Sequence, residues 1–214
     1  MKPLSVDLYW SFRSPYCYLA MDRLFALPEQ MNVAIGLRHV WPGAMRRKGY
    51  FKNLHPNYRR YHSLDSPRIA EFLGIPYARP VPDPLVFDAD SAEPVADQPY
   101  IRNLTRLCLA ARGLGYELPF VRTLMRLLWS GEVTGWDQGN HLTEAAQAVE
   151  LDFDELSRVA EDNADRFDQE VESNAARLDS AGHWGVPCMV LDGEPFFGQD
   201  RIDMLVWRLH QKGG

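Results

Sequence analysis

The chain has 214 residues, of which 46% are hydrophobic and 24% are charged, so it carries enough apolar side chains to bury a core. This composition excludes an intrinsically disordered chain. The formal net charge is −6, and the longest basic run, Arg46-Arg47-Lys48, has only three residues. Both observations argue against a nucleic acid as partner.

The first predicted elements are a strand, a helix and a second strand. Apolar residues alternate from Leu4 to Trp10, which predicts a strand. Pro15 suits the first position of a helix, and we predict that this helix runs to about Leu27. A second alternating segment, from Val33 to Leu37, predicts another strand. Such a unit has parallel strands joined by a right-handed crossover, and it resembles the first half of a thioredoxin fold.

The middle of the chain has a helical character. We predict an irregular segment over Gly43–Pro56, and a proline-rich surface loop over Pro76–Pro99. Apolar residues at spacings of three and four predict the helices, and glycine-rich breaks separate some of them. The predicted helices are Tyr58–Leu73, Tyr100–Arg112, Pro119–Trp129, His141–Val149 and Phe153 to about Leu178.

The last predicted elements complete the thioredoxin fold. Val186–Leu191 is predicted as a strand, Asp192-Gly193 as a type I′ hairpin turn, Glu194–Phe197 as the partner strand and Gln199–Gln211 as a helix. We therefore predict an α/β, thioredoxin-like domain made of residues 1–45 and 183–214. An all-helical domain, residues 46–182, is inserted into it.

The turn Ser14-Pro15-Tyr16-Cys17 has the layout of a thioredoxin active site in which serine replaces the first cysteine. Disulfide exchange requires both thiols, so that reaction cycle cannot run here. Free amides and the dipole at the start of a helix favour an anion. The Ser14 hydroxyl can donate a hydrogen bond to a thiolate supplied by a cofactor. The alternative is that Ser14 only caps the helix.

Two further segments belong to the same predicted cleft. Pro187 opens the penultimate strand, where thioredoxin folds keep a cis-proline that leaves the backbone of Val186 free to pair with a bound peptide. Gln199 and Asp200 begin the last helix and present polar groups there. The alternatives are an ordinary proline at a strand start and a simple helix cap at Asp200.

Cysteine and histidine usage gives no sign of a disulfide framework or a metal site. The three cysteines form no Cys-x-x-Cys pair, and the six histidines have no ligand spacing, so we predict no metal. Cys17 is interpreted as an inert core thiol, with a redox role or pairing with Cys188 as alternatives. Neither a signal peptide nor a membrane span is indicated, and we expect a cytoplasmic protein with no membrane partner.

These motifs resemble those of 2-hydroxychromene-2-carboxylate isomerase and the related kappa-class glutathione transferases, which belong to the DsbA-like branch of the thioredoxin fold. The similarity in layout covers essentially the whole chain. The motifs that carry it are Ser14-Pro15-Tyr16-Cys17-Tyr18-Leu19-Ala20, Gly185-Val186-Pro187, Gly198-Gln199-Asp200-Arg201, and Tyr61, Asp65 and Arg68 ahead of Leu73-Gly74-Ile75-Pro76.

The resemblance implies a glutathione-dependent isomerase that acts on an aromatic or unsaturated carboxylic acid through a glutathione thiolate. It implies that Ser14 is catalytic and holds the sulfur of glutathione. It also implies a homodimer, although no sequence feature marks an interface. The residues implied to bind glutathione are Asn53, Val186 and Pro187 beside the tripeptide, and Gln199 and Asp200 at its γ-glutamyl end.

The substrate half of the site departs from the family. Tyr58 stands where isomerases of this family usually have a lysine, and Arg59 and Arg60 are next in line as substitutes. A guanidinium suits a carboxylate, so Arg46, Arg47, Arg59 and Arg60 are all candidates to hold that of the substrate. We predict substrate contacts from Trp41, Arg59 and Tyr61. Three other functions stay open, namely a kappa-type glutathione transferase or peroxidase, a thiol-disulfide oxidoreductase that uses Cys17, and a non-catalytic binding module.

Overall fold

The computed structural model describes residues 2–91 and 93–213. The chain forms two compact units. The first unit is Met1–Trp41 together with Gln169–Gly214, and the second unit is Pro42–Asp168. The domain boundaries inferred from the sequence, at 45/46 and 182/183, stay a prediction, because compactness alone does not show which segments fold independently.

The first unit contains a sheet that the described residues build from four strands in the order β2-β1-β3-β4. The strands are β1 (Leu4–Trp10), β2 (Val33–His39), β3 (Cys188–Leu191) and β4 (Glu194–Phe197). β1 pairs in parallel with β2, whereas β3 is antiparallel to both β1 and β4. Asp192 and Gly193 both have positive φ, as a type I′ turn requires. The predicted thioredoxin-like fold is confirmed.

Ten α-helices account for most of the remaining described residues. A short 3₁₀ helix, Gln199–Arg201, precedes the last of them. In chain order the helices are α1 (Pro15–Phe25), α2 (Leu27–Gln30), α3 (Gly43–Arg46), α4 (Asn57–Leu73), α5 (Pro99–Gly113), α6 (Glu117–Trp129), α7 (His141–Gln147), α8 (Phe153–Asp162), α9 (Ala164–Ser180) and α10 (Ile202–Gln211). Among the described residues, none of these helices has the length and apolar composition that crossing a bilayer demands.

Two predicted helices are interrupted where a side chain disturbs the backbone. The helix predicted over Pro15–Leu27 ends at Phe25, because Pro28 has no amide hydrogen and its ring would clash with the carbonyl of the preceding turn. The helix predicted over Phe153–Leu178 is two helices, α8 and α9. Between them, the Asn163 amide donates to the Val159 carbonyl oxygen at 2.8 Å and so occupies a backbone acceptor of α8.

Other predicted boundaries are wrong by smaller amounts. The predicted irregular segment Gly43–Pro56 contains the single turn α3, and α7 ends at Gln147 rather than Val149. The predicted strand Val186–Leu191 begins only at Cys188, because Pro187 has no N–H to contribute to the ladder. The predicted closing helix starts as the 3₁₀ helix at Gln199.

The core of the first unit surrounds the central strand β1. Val6, Leu8 and Trp10 on this strand are fully buried, as expected for a strand with neighbours on both edges. A cluster on the sheet joins Tyr9, Val40, Leu178, Cys188 and Val190. The start of α1 and the start of β3 are therefore both attached to the same rigid sheet.

The second unit has its own core, in which α5 packs against α6 and α8. Leu104, Leu107 and Cys108 of α5 are fully buried. At the edge of this core, Asp168 of α9 accepts hydrogen bonds from the guanidinium groups of Arg102 and Arg106. One carboxylate thus forms ion pairs with two half-buried cations.

Candidate active site

Ser14 caps the N-terminus of α1. Its Oγ accepts a hydrogen bond from the Cys17 backbone N–H at 3.2 Å, and its backbone lies in the extended region with φ −95°. Its own N–H donates to the Ser11 carbonyl oxygen at 3.1 Å, which fixes the turn into the helix. The predicted cap is therefore present, and the hydroxyl proton is still available for a further bond.

That hydroxyl points toward the loop before β3. Ser14 Oγ donates to the Val186 carbonyl oxygen at 3.4 Å, a long and therefore weak hydrogen bond. No acidic residue lies in the first turn of α1, so no carboxylate there neutralises the positive end of the helix dipole. A half-buried hydroxyl donor at this position can accommodate a negatively charged sulfur or oxygen.

Cys17, one turn into α1, is unsuited to thiol chemistry. Its side chain is fully buried, and burial raises the pKa of its thiol to about 12, although hydrogen bonds with the Ser11 backbone and the Ser14 side chain lower it. Burial raises the pKa of the Cys188 thiol to about 12 as well. Cys17, Cys108 and Cys188 are all free thiols. These observations support the interpretation of Cys17 as a core thiol.

The loop before β3 presents backbone groups beside Ser14. The Val186–Pro187 peptide bond is cis. The Pro187 carbonyl oxygen accepts from the Gly198 N–H at 2.9 Å, whereas the Val186 N–H donates to no residue that the structure describes. Val186 is partly exposed. Its amide is therefore available to a further acceptor, and the predicted pairing with a bound peptide stays a prediction.

Aromatic rings pack against one another beside the same loop. The His183 ring stacks on Phe197, with ring centroids 4.0 Å apart, and on Trp184 at 4.7 Å. The Gly185 N–H donates to His183 Nδ1 at 2.9 Å. A Cβ atom placed on Gly185 would lie 2.4 Å from Cε2 of Phe197, so the ring occupies the space that any side chain there would need.

Gln199 and Asp200 lie directly after β4, within the 3₁₀ helix. Gly198 before them has φ +103°, and a Cβ atom there would lie 2.6 Å from Oδ1 of Asp200. Asp200 is exposed, and its Oδ2 accepts from Arg201 Nη1 at 2.6 Å. Oε1 of the half-buried Gln199 accepts from Arg23 Nη2 at 2.6 Å. The φ value favours glycine here, because side chains with a Cβ rarely adopt it, whereas the exposed Asp200 carboxylate could turn aside.

Arg23 is the residue of this region that sequence reasoning missed. It lies on α1, and its partner Gln199 is 176 residues further along the chain. Its only sequence signal is a charge directly before the apolar pair Leu24-Phe25, which ordinary surface positions on a helix show as well. No local pattern could have joined the two.

The first unit thus brings together Ser14, Val186, Pro187, Gln199 and Asp200. Trp41, a predicted substrate contact in the same unit, is only 5% exposed. Its predicted contact with substrate stays a prediction.

The remaining predicted residues lie in the second unit. The exposed Asn53 sits in a turn where its N–H donates to the Gly49 carbonyl oxygen at 3.0 Å. Arg59 lies over the Phe51 ring, 4.6 Å from its centroid, and both line a cavity of about 320 Å³. Tyr61 is 59% exposed on α4 and its hydroxyl accepts from Arg68 at 3.4 Å. The roles of these three residues stay predictions.

Within residues 2–91 and 93–213, no three or more His, Cys, Asp and Glu side chains are grouped so that they could hold a metal ion.

Similar sequences and structures identify the family of this chain. The family described as DSBA-like thioredoxin domain matches residues 5–210. The chain is 27% identical over 202 residues to a 2-hydroxychromene-2-carboxylate isomerase of Sphingobium xenophagum, covering 94% of this chain and 95% of that protein. A protein of the same name from Pseudomonas putida is 26% identical over 211 residues, or 94% and 91% of the two chains. A solved structure of 2-hydroxychromene-2-carboxylate isomerase superposes with a TM-score of 0.69 at 22% identity, covering 97% of this chain and 95% of that one.

Proposed function

The chain belongs to the family of DsbA-like thioredoxin domains, and we propose that it is a glutathione-dependent isomerase of the 2-hydroxychromene-2-carboxylate isomerase type. We propose an aromatic or unsaturated carboxylic acid as its substrate. The observation that carries the proposal is the Ser14 hydroxyl at the start of α1, facing the cis-proline loop, while the thiols of the same unit are buried. The names of the two curated relatives support an isomerase.

The polar groups of the first unit fit glutathione, a tripeptide with a thiol, two carboxylates and an ammonium group. The Ser14 hydroxyl suits the sulfur, and the unpaired Val186 N–H suits the peptide backbone. The Gln199 amide and the exposed Asp200 carboxylate suit the charged γ-glutamyl end. When bound, glutathione supplies a nucleophilic sulfur that is recovered unchanged after the reaction.

In this proposal, the Ser14 hydroxyl and the start of α1 stabilise the anionic sulfur of glutathione. Ser14 keeps its proton and donates it as a hydrogen bond to the anionic sulfur, because an alcohol is a far weaker acid than a thiol. Its long bond to Val186 is readily exchanged for this stronger, charge-assisted one. The start of α1 adds a positive potential that lowers the pKa of a bound thiol.

Arg59 is our proposed anchor for the substrate carboxylate. It lines its cavity together with Phe51, Lys52 and His55, and the wall also carries Glu93, which pairs with Lys52 at 3.2 Å. A guanidinium can bind a carboxylate through two parallel hydrogen bonds. Phe51 carries Arg59 over one face of its ring.

The decisive experiment is a calorimetric titration of glutathione into wild type and Ser14→Ala, with thiolate absorbance followed across pH. We expect saturable binding to wild type with the pKa of the bound thiol depressed, and a return toward its free value in the variant. The matched control is Asp152→Ala, which removes the cap of α8, where Asp152 accepts from the Glu155 N–H at 3.0 Å. Each variant loses about 1 kcal/mol of stability. Only Ser14→Ala should change the thiol pKa, and absence of binding to wild type would overturn the proposal.

A glutathione balance separates the isomerase from a transferase or peroxidase. Free glutathione is titrated before and after turnover with an aromatic acid substrate. An isomerase leaves its amount unchanged, whereas net consumption would favour the kappa-type enzyme. A thiol-disulfide oxidoreductase using Cys17 would instead lose its activity in Cys17→Ser and be indifferent to Ser14→Ala.

A further inference from the structure

Arg23 on α1 makes a contact for which the proposed function gives no reason. Its side chain is half-buried, and Nη2 donates to Oε1 of Gln199 at 2.6 Å. The same nitrogen lies 3.5 Å from the Leu19 carbonyl oxygen. The short bond to Gln199 is therefore its main interaction, and it joins α1 to the 3₁₀ helix after β4.

This contact determines which way the Gln199 amide faces. A guanidinium has only hydrogen-bond donors, so the amide atom opposite Arg23 must be the oxygen and not the nitrogen. Because the amide group is planar, its NH₂ group then points away from Arg23. Gln199 is thus held with two donors directed to the other side.

Arg23 is held by packing and by its bond to Gln199. Its Nε is buried, so the inner part of the side chain is packed against the protein, although this nitrogen has no hydrogen-bond partner among the described residues. Burial lowers the pKa of the guanidinium, while the carboxylates of Asp203 and Asp200 favour its charged form. The half-buried Arg23 guanidinium therefore holds the Gln199 amide in one orientation.

We propose that Arg23 is a positioning residue, which fixes the Gln199 amide so that its NH₂ group donates to the α-carboxylate of the γ-glutamyl residue of glutathione. This rests on the proposed function. Without Arg23 the amide can turn over and place its oxygen against the carboxylate, which repels it. Asp200, next in the chain and exposed, pairs with Arg201 through Oδ2, and its other carboxylate oxygen suits the ammonium group of the same residue.

A double-mutant cycle tests whether Arg23 acts through Gln199. Calorimetry measures the Kd of glutathione for wild type, Arg23→Met, Gln199→Ala and the double variant. We expect Arg23→Met to raise the Kd about tenfold in the wild-type background, as for the loss of a hydrogen bond to a charged group. In the Gln199→Ala background the same change should have little effect, because the amide that Arg23 orients is gone.

Two further variants separate orientation from general stability. Arg208→Met is the matched control, since Arg208 is also half-buried, also has a buried Nε without a partner among the described residues, and donates to Glu194 at 2.9 Å. It should leave the Kd unchanged. Arg23→Lys retains a charged donor and should bind more tightly than Arg23→Met.

The outcomes distinguish the two proposals. Wild type that does not bind glutathione overturns the proposed function together with the role of Arg23. Wild type that binds, with the same loss from Arg23→Met in both backgrounds, overturns only the positioning role. An unchanged Kd in Arg23→Met also overturns it.

Discussion

Ser14 and Cys17 share one turn of α1 but have opposite chemical environments. The Ser14 hydroxyl is partly exposed and donates outward from the helix, while the Cys17 thiol is enclosed by the core. Burial without a nearby cation disfavours a thiolate, since a buried charge loses its hydration. At the scale of single residues, Ser14 thus offers a partly exposed hydrogen-bond donor, whereas the thiol of Cys17 stays protonated in the core.

The buried thiols predict a loss of stability at alkaline pH. The pKa of Cys17 rises from an ordinary value of 9.0 to about 12 on folding, so the folded state holds its proton more tightly than the unfolded state does. The thiol's contribution to stability is therefore complete below pH 9.0 and is lost as the pH rises toward about 12. Denaturant unfolding of wild type and Cys17→Ala from pH 7 to 11 measures this effect.

We expect the free energy of unfolding to fall more steeply with pH in wild type than in Cys17→Ala. Burial also raises the pKa values of Tyr9 and of the half-buried Tyr77, but both tyrosines are common to the two proteins. Equal slopes would show that the Cys17 thiol ionises as readily in the folded protein as in the unfolded chain.

The residues of the site differ in how far the sequence predicts them. Ser14 is recognisable because the strand, the turn and the helix that position it are consecutive. Val186 and Gln199 are recognisable because each sits at an element boundary next to proline or glycine. Arg23 has no such signal, since the role that we propose for it rests on its contact with Gln199 across 176 positions.

At the scale of elements, the loop before β3 depends on Gly185. We predict that Gly185→Ala destabilises the protein by about 1–3 kcal/mol, because its Cβ would lie 2.4 Å from Cε2 of Phe197 and displace that ring. Thermal and denaturant unfolding measure the loss. Phe197→Leu in the same chain should recover part of it by making room.

Gly113→Ala is the matched control for this prediction. Gly113 is the last residue of α5, and a Cβ atom placed on it would have no neighbour within 4 Å. We expect it to be neutral or to stabilise the protein by up to about 1 kcal/mol, since alanine favours a helix over glycine. If Gly185→Ala behaves like this control, the aromatic ring does not restrict the loop.

The helices were predictable to within a few residues because their apolar stripes are regular, and the same regularity hides the break at Asn163. The buried residues Leu156 and Ala160 of α8 continue at a spacing of seven to Phe167 and Val171 of α9. The stripe therefore stays in register through the break. The interruption comes from one side-chain hydrogen bond, which hydrophobic periodicity cannot show.

At the scale of the whole molecule, the carboxylate of Asp168 stabilises the second unit. We predict that Asp168→Asn lowers the free energy of unfolding by about 2 kcal/mol, because Arg102 and Arg106 lose the charge that both of them bind. Their side chains are 28% and 26% exposed, so water compensates only in part. Chemical denaturation measures the change.

The control is Asp192→Asn, which removes a pair at the surface. Asp192 accepts from Lys212 Nζ at 2.5 Å, with a side chain that is 62% exposed. We expect a loss below about 1 kcal/mol, as for exposed ion pairs in general. Equal effects of the two substitutions would mean that Asp168 contributes no more than an ordinary surface charge.

The prediction of a discontinuous domain depends on the strands and the helix at each end of the chain, which are incomplete alone. Its second boundary, at 182/183, stays a prediction. The helix α9 runs from Ala164 to Ser180 without interruption, while the compact units divide between Asp168 and Gln169. A boundary inside a continuous helix leaves no glycine, proline or change of pattern in the sequence.

The central place of β1 has a consequence for biosynthesis. One edge of this strand can pair with β2 soon after translation begins, but its other edge waits for residues 188–191. The second unit, residues 42–168, emerges from the ribosome in the meantime. During that interval one edge of β1 has no partner strand in the nascent chain. Such an edge can pair with other chains unless a chaperone covers it. Premature termination before β3 leaves Ser14 without the loop that faces it, so an incomplete chain cannot assemble the site.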